Sequence, residues 1–331
     1  MNIKLIIKNK INWFKKWTID FYPSIIQIGI TNKCNFKCIM CKRNNMSNDF
    51  LKRNKQFNLF EKEMSFEEFR DILNQFSKLK KINLTGIGEN FLNKDFLKML
   101  EYTKNKKINI EFADNFYFLD EKNANKLIDI GIDSIYASID GATKETYEKI
   151  RIGCDFDKVI KNVKGLFYLK KKRQKKYPKI IFNYVINAYN YTEVLDFIDL
   201  ISSIADGEEF SIQFTDMINF DKNQAHLCLE ESVTQKIIFQ AIQKAKKMGV
   251  TMGHRKRIKN NMINCQHALR PIIFPTGHVS PCCFASEGII MENINEKSFR
   301  EIWDSDNYKN LRKDIRMGRI PVLCENCEFL V

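Results

Sequence analysis

Nowhere in its 331 residues does the chain hold an apolar run of the length a membrane span needs, about 20 residues. A secretory leader is missing as well: the opening MNIKLIIKNKINWFKK threads lysines through its apolar stretch and offers no small-residue cleavage site. The sequence therefore predicts a cytoplasmic protein with no integral membrane association. Histidine is scarce, with four residues (His226, His254, His267 and His278), none in the first 225 positions and none in a spaced pair. That excludes a histidine-closed metal site in the amino-terminal half, and each of the four reads as a surface or packing residue. Acidic side chains are outnumbered, 40 against 54 Lys and Arg, for a formal charge of +14. The excess accompanies a general bias to Lys, Asn and Ile that AT-rich codons produce, so no nucleic-acid partner is expected. The longest basic run, Lys170 to Lys176, follows a helical pattern and reads as its solvated end. At 44% apolar and 28% charged, the chain has the make-up of a globular protein, and its length suggests more than one domain.

Ten cysteines are present, and in a chain with no export signal they argue for metal or catalysis rather than disulfides. Cys34, Cys38 and Cys41 lie in one short loop, CNFKCIMC, with no fourth cysteine and no histidine nearby. Thiolates are soft ligands suited to zinc or iron–sulfur clusters. Structural zinc closes its tetrahedron with a fourth Cys or His, which is not at hand here. Three thiolates on a four-iron cube leave one iron open to a non-protein ligand, and that reading fits the loop better. A second group, Cys265, Cys282, Cys283, Cys324 and Cys327, falls near the carboxyl end. Cys154 and Cys228 stand alone and read as ordinary buried thiols.

Hydrophobic periodicity gives alternating strands and helices. Strands are predicted at 25–30, 81–85, 107–112, 133–139, 179–186 and 209–214, with helices between them. Ser65 and Glu68 form a capping box opening a helix to about Lys80. Asp120 caps a helix that Gly131 ends, and a further helix spans 156–176. Six such alternations predict a parallel sheet with right-handed crossovers. Periodicity alone leaves open whether the sheet is flat or curled.

The segment IQIGITNKCNFKCIMC resembles the start of radical S-adenosylmethionine (radical SAM) enzymes, and the resemblance runs from about residue 24 to 329. It implies an α/β fold, a partial (β/α)6 TIM-like barrel, with active residues at the carboxyl ends of the strands. It implies a 4Fe–4S cluster on Cys34, Cys38 and Cys41 whose open iron binds S-adenosylmethionine, with Met40 beside the adenine. Thr85-Gly86-Ile87-Gly88-Glu89-Asn90 looks like the family's Gly-rich segment, in which Gly86, Gly88 and Glu89 would hold the methionyl amino group. Asn90 stands where proline is usual, which puts the loop's rigidity in question. After the fourth strand, Ser138 and Asp140 are candidates for the ribose, with Asp140 alternatively capping the next turn. Arg151 is a candidate for the cofactor carboxylate, or else a surface arginine. At the third strand end, Asp114-Asn115-Phe116 replaces a common Thr-Asn-Gly turn, suggesting an altered pocket wall.

The carboxyl-terminal cysteines resemble the auxiliary-cluster domains called SPASM and twitch. The spacing Cys265-x11-Gly277-x4-Cys282, followed by Cys324-x2-Cys327, implies one auxiliary 4Fe–4S cluster on Cys265, Cys282, Cys324 and Cys327. A β-hairpin around Thr276-Gly277 and two short helices accompany it. Such a closed cluster suits electron transfer or structural support. The resulting organisation is a basic amphipathic extension (1–22), a radical SAM core (23–215), a linking helical region (216–260) and the auxiliary domain (261–331).

The implied activity is reductive cleavage of S-adenosylmethionine to a 5′-deoxyadenosyl radical that abstracts a hydrogen atom, an oxidoreductase-like reaction served by a reductase such as flavodoxin or ferredoxin. A small sugar-like or aminocyclitol substrate is expected, because only some twenty residues precede the first strand, too few for an added peptide-binding domain. A peptide-modifying maturase is the alternative within the family. A zinc-bound nucleic-acid-binding protein is the alternative outside it.

Overall fold

The computed structural model describes residues 22–44, 62–219, 222–256, 270–282, 291–321 and 324. The amino-terminal extension as far as residue 21, and Cys265, Cys283 and Cys327, lie outside the described residues.

Among the described residues twelve strands follow in chain order: β1 (Ile25–Ile28), β2 (Lys37–Cys38), β3 (Lys81–Asn83), β4 (Asn109–Asp114), β5 (Ser134–Ser138), β6 (Arg151–Ile152), β7 (Lys179–Ile186), β8 (Phe210–Asp216), β9 (Thr251–Arg255), β10 (Ile272–Ile273), β11 (His278–Ser280) and β12 (Glu292–Asn293). Ten of them form one sheet in the order β12-β11-β10-β1-β3-β4-β5-β7-β8-β9, and β2 pairs separately with β6. From β10 to β9 every pairing is parallel. The order is monotone from β1 to β9. With crossovers of one hand, such an order puts the helices on one face and leaves the other to become the inside of a curled sheet.

The helices are α1 (Phe66–Asn74), α2 (Phe96–Asn105), α3 (Glu121–Ile130), α4 (Lys144–Ile150), α5 (Phe156–Lys172), α6 (Val194–Ala205), α7 (Glu231–Met248), α8 (Phe299–Trp303) and α9 (Asp306–Arg316). Successive helices of the winding pack against each other: α1 on α2, α2 on α3, α3 on α5, α5 on α6 and α6 on α7. The capping box of Ser65 and Glu68 is present, and Asp120 and Gly131 bound α3, Gly131 at φ 79°. Helix α1 ends at Asn74 rather than near Lys80, because the chain must turn back to enter β3 at Lys81. None of the helices among the described residues is long and apolar enough to cross a membrane.

Strand alternation divides the sheet's two faces. Ile26, Ile82, Phe112, Ile135, Phe182 and Phe214 are buried under the helices in one core. Their neighbours Gln27, Asn83, Glu111, Tyr136, Asn183 and Gln213 are only partly buried on the opposite face. Burying the apolar set gives about 1.5–3 kcal/mol per large side chain. The opposite face is free to be polar, and it is.

Two additions extend the expected six strands. Beyond residue 215, α7 leads into β9, which pairs with β8, and β10 pairs with the outer edge of β1. The carboxyl-terminal hairpin is thus continuous with the core sheet. Its turn is the one expected, with Gly277 at φ 83° and no room for a Cβ beside Asn293 and Asn295. The basic run at the end of α5 is not wholly solvated. Lys170 is 2% exposed and lies 3.9 Å from Glu208, because the chain folds back beneath it.

Candidate active site

The cysteine loop leaves the carboxyl end of β1 and is fastened on several sides. Cys38 stands opposite Arg151 in the β2–β6 pairing, and the Ile39 N–H donates to the Ile150 carbonyl (2.9 Å). Asn44 Nδ2 donates to the Cys38 carbonyl (3.2 Å), and Gln224 Nε2 to the Ile39 carbonyl (2.8 Å). Phe36, Cys38, Met40, Ile150, Met217 and Leu227 form a small buried apolar cluster, and Cys34 and Cys41 pack at its margin. The loop therefore gathers all three thiols, with Met40, around one apolar patch. Cys154 and Cys228 border the same patch.

Burial pushes the Cys38 thiol up to about 12, opposed by the Arg151 guanidinium, and raises Cys41 too. Thiolates in so dry a place need nearby positive charge, which iron supplies to its ligands. Among the described residues, no three His, Cys, Asp or Glu side chains already converge to hold a single metal ion. The donor set of three soft thiols on an apolar floor fits a cluster with one open vertex.

The Gly-rich segment after β3 presses directly onto this loop. A Cβ on Gly88 would stand 2.4 Å from the Thr31 carbonyl oxygen and 2.6 Å from that of Lys33. A Cβ on Gly86 would come within 3.0 Å of the Gly29 Cα. Close approach of backbone to backbone requires glycine at 88, and at 86 a side chain would make the neighbouring strand give by a few tenths of an ångström. The Glu89 N–H then donates to the Lys33 carbonyl (2.7 Å). A Gly88→Ala variant must push this loop away at a cost of about 1–3 kcal/mol. It is expected to lose most of its 5′-deoxyadenosine formation, measured by chromatography, while far-ultraviolet circular dichroism stays native.

Asn90 keeps the loop rigid without proline. Its buried amide donates to the carbonyls of Leu84 (2.7 Å) and Ala113 (3.2 Å), tying two strand ends together. Glu89 is 4% exposed, and its Oε2 accepts from the Asn115 N–H (3.1 Å). Burial, and then the neighbouring Asp114 carboxylate, push its carboxyl well above the usual range. Asp114 is 2% exposed and is raised by burial to about 6. Glu89 and Asp114 are hydrogen-bonded to each other through their side chains, an arrangement in which the raised Glu89 carboxyl supplies the proton.

Asp140 is fully buried. Its Oδ2 accepts from Arg151 Nε (2.7 Å) and Nη2 (2.5 Å), and its Oδ1 from the Val185 N–H (2.6 Å). It does not cap the following helix, since Thr143 does that. Arg151 is not a surface residue; at 8% exposed it also reaches 3.8 Å from Cys38 Sγ through Nη1. Ser138 ends β5 on the partly exposed face, opposite Asn183. Motif reading passed over Asn32 and Asn35 here. Asn115 Nδ2 donates to Asn35 Oδ1 (2.9 Å), and the buried Asn32 side chain has no partner at either end. An excess of Asn throughout the sequence hid them.

Of the auxiliary cysteines, Cys282 is buried just after β11 and Cys324 packs against the main core. Their positions carry the comparison with known proteins to the far end of the chain. Residues 28–201 match the model of the radical SAM superfamily, and residues 265–328 match that of an iron–sulfur cluster-binding domain, SPASM. The chain belongs to the radical SAM superfamily. Membership implies a 4Fe–4S cluster, S-adenosylmethionine and an auxiliary iron–sulfur cluster.

A relative from Methanocaldococcus jannaschii, named as a probable GTP 3′,8-cyclase, is 26% identical over 277 residues, covering 80% of this chain and 86% of its own. The GTP 3′,8-cyclase of Nautilia profundicola is 29% identical over 297 residues, covering 83% and 86%. Among solved structures, Streptococcus suis SuiB bound to S-adenosylmethionine aligns with a TM-score of 0.71 at 15% identity, over 98% of this chain and 75% of that one. SuiB has also been solved with its precursor peptide SuiA.

Proposed function

We propose that this radical SAM enzyme acts on a small, polar, anionic substrate, such as a nucleotide or a nucleotide-linked sugar. The observation that carries the reading is the chemistry of the open sheet face. There Lys81 Nζ pairs with Glu111 Oε2 (3.0 Å), and Asn83 Nδ2 donates to Glu111 Oε1 (3.1 Å). Tyr136, half-buried on the next strand, has its hydroxyl pushed up by burial and Glu111 and drawn down by Arg255 and Arg270. Thr215 stands in register with Arg255, and Ser138 with Asn183 and Gln213. Hydroxyls, amides and two arginines on one face suit hydroxyl-bearing anions better than apolar side chains. The names of the sequence relatives point the same way, since they describe enzymes of a nucleotide substrate. This deepens the expectation of a sugar-like substrate by adding negative charge.

In this reading Cys34, Cys38 and Cys41 hold the cluster. Met40, Gly86, Gly88, Glu89 and Ser138 hold S-adenosylmethionine, with Arg151 oriented by Asp140. When bound, the two cofactors supply a 5′-deoxyadenosyl radical that removes a hydrogen atom from the substrate. The chain's own part is to place the substrate carbon, to keep water out through the patch around Phe36 and Met217, and to hold the substrate's anionic end near Arg255 and Arg270. Cys265, Cys282, Cys324 and Cys327 hold the auxiliary cluster. Reduced thiols and iron–sulfur chemistry suit the cytoplasm.

The test is an anaerobic panel. Reconstituted enzyme with dithionite and S-adenosylmethionine is given nucleotides, nucleotide-linked sugars, free sugars, aminocyclitols and peptides, and 5′-deoxyadenosine is counted. Stimulation by an anionic member is expected, with KM raised at least about tenfold in Arg255→Met, the loss of one charge-assisted contact. Stimulation by peptides alone would overturn the reading.

A further inference from the structure

We infer that Arg151 sets the reduction potential of the cluster held by Cys34, Cys38 and Cys41, by placing a guanidinium charge and an N–H donor against the Cys38 sulfur. This rests on the assignment of that cluster to the cysteine loop, and it gives Arg151 a role toward a ligand sulfur rather than toward the carboxylate of S-adenosylmethionine.

Local structure puts the side chain there. Strands β2 and β6 form an antiparallel ribbon in which Cys38 stands directly opposite Arg151, and Lys37 opposite Ile152. Directly opposed residues share a face of the ribbon. Lys37 and Ile152 are exposed on the outer face, whereas Cys38 and Arg151 are buried on the inner one. The orientation of the guanidinium is then fixed from behind. Its Nε (2.7 Å) and Nη2 (2.5 Å) both donate to Asp140 Oδ2, and Asp140 is itself held by the Val185 N–H on Oδ1 (2.6 Å). The remaining arm, Nη1, reaches Cys38 Sγ at 3.8 Å. Charge is therefore layered as sulfur, guanidinium and carboxylate, with the cation next to the sulfur. At Cys38 the attraction of the guanidinium outweighs the repulsion of the carboxylate.

The redox consequence follows from charge. Reduction takes one electron from the external reductant and makes or breaks no bond, so the reduced cluster and its thiolates carry one more negative charge. Net charge and hydrogen bonds to the sulfurs are among the protein's main levers on such a potential. A buried cation this close to a ligand sulfur is weakly screened. It stabilises the reduced form more than the oxidised one and raises the potential.

A purely structural role for the pair is the competing explanation, since both groups are buried and the loss of either leaves the other alone. That role predicts variants that lose stability in parallel. The potential separates the two, because removing the cation lowers it and removing the anion behind the cation raises it.

The experiment is a redox titration of the anaerobically reconstituted full chain followed by electron paramagnetic resonance. The signal altered by added S-adenosylmethionine marks the cluster of the cysteine loop. At the midpoint potential of the unaltered protein, Arg151→Gln should lower the ratio of reduced to oxidised cluster about tenfold, the loss of one charge-assisted bond, which is a midpoint lower by about 59 mV. Asp140→Asn should raise the ratio. If Arg151→Gln holds no cluster, Asp140→Leu with Arg151→Met carries the measurement, and the same fall is expected. Unchanged midpoints, displacement in the same direction by Arg151→Gln and Asp140→Asn, or loss of the cluster from every variant overturns the role. If the unaltered protein shows no signal that S-adenosylmethionine alters, it is instead the assignment of the cluster to this loop that fails.

Discussion

Replacing Cys38 by Ala is expected to abolish 5′-deoxyadenosine formation and to remove about four irons per chain, one cube's worth, leaving the auxiliary cluster in place. Two thiolates cannot hold a cube whose remaining vertex is given to a small molecule. Among the described residues the other thiols at this patch, Cys154 and Cys228, lie at its border and outside the cysteine loop. Cys38 is the most telling of the three, since it is the buried one, facing Arg151 across β2–β6. With the sulfur gone, Arg151 Nη1 loses the neighbour 3.8 Å away but keeps both its bonds to Asp140. The fold should therefore survive the loss of chemistry. Iron and sulfide counts, the absorbance near 400 nm and a cofactor-cleavage assay on one preparation check this. Retained cleavage in Cys38→Ala would remove the loop from the cofactor's site.

The parts of this site that could be read in the sequence are those whose chemistry is local. Three cysteines in eight residues, glycines flanking a glutamate, and a Ser-x2-Glu capping box each carry their reason within a few positions. The strands that alternate strongly, such as KIIFNYVI at 179–186, were equally plain. What escaped has its cause at long range. Strand β9 reads Thr-Met-Gly-His-Arg, without apolar alternation, and exists because β8 offers it a partner edge. Strand β10 is two isoleucines laid against β1. The partnership of Glu89 with Asp114 spans 25 positions, and that of Cys38 with Arg151 spans 113. No periodicity reports contacts of that kind. Arg151 in particular looks like any charged residue after a helix, and only the fold shows it to be buried.

That burial gives the second large effect. Arg151→Met should destabilise the protein by about 3–5 kcal/mol, the usual result of stripping one partner from a buried ion pair. Asp140 would be left fully buried with a single donor, the Val185 N–H, against the desolvation that already pushes its carboxyl upward. A domain's whole stability is about 5–15 kcal/mol, so thermal unfolding should fall by many degrees or the variant should fail to accumulate. The pair's own coupling is separable from that penalty by a double-mutant cycle. Asp140→Leu with Arg151→Met removes both charges and should recover a good part of the loss, because two apolar groups do not pay for dehydrating a lone carboxylate. Arg151→Lys should fall between, keeping the charge while losing the planar fork that joins Nε and Nη2 to one carboxylate oxygen. Stability and chemistry should part company in this series. The double variant regains its fold yet presents Cys38 with no cation, so its cluster should take up iron more slowly and cleave S-adenosylmethionine poorly. Unfolding midpoints equal to those of the unaltered protein in Arg151→Met would show that the pair does not anchor the wall behind the cysteine loop.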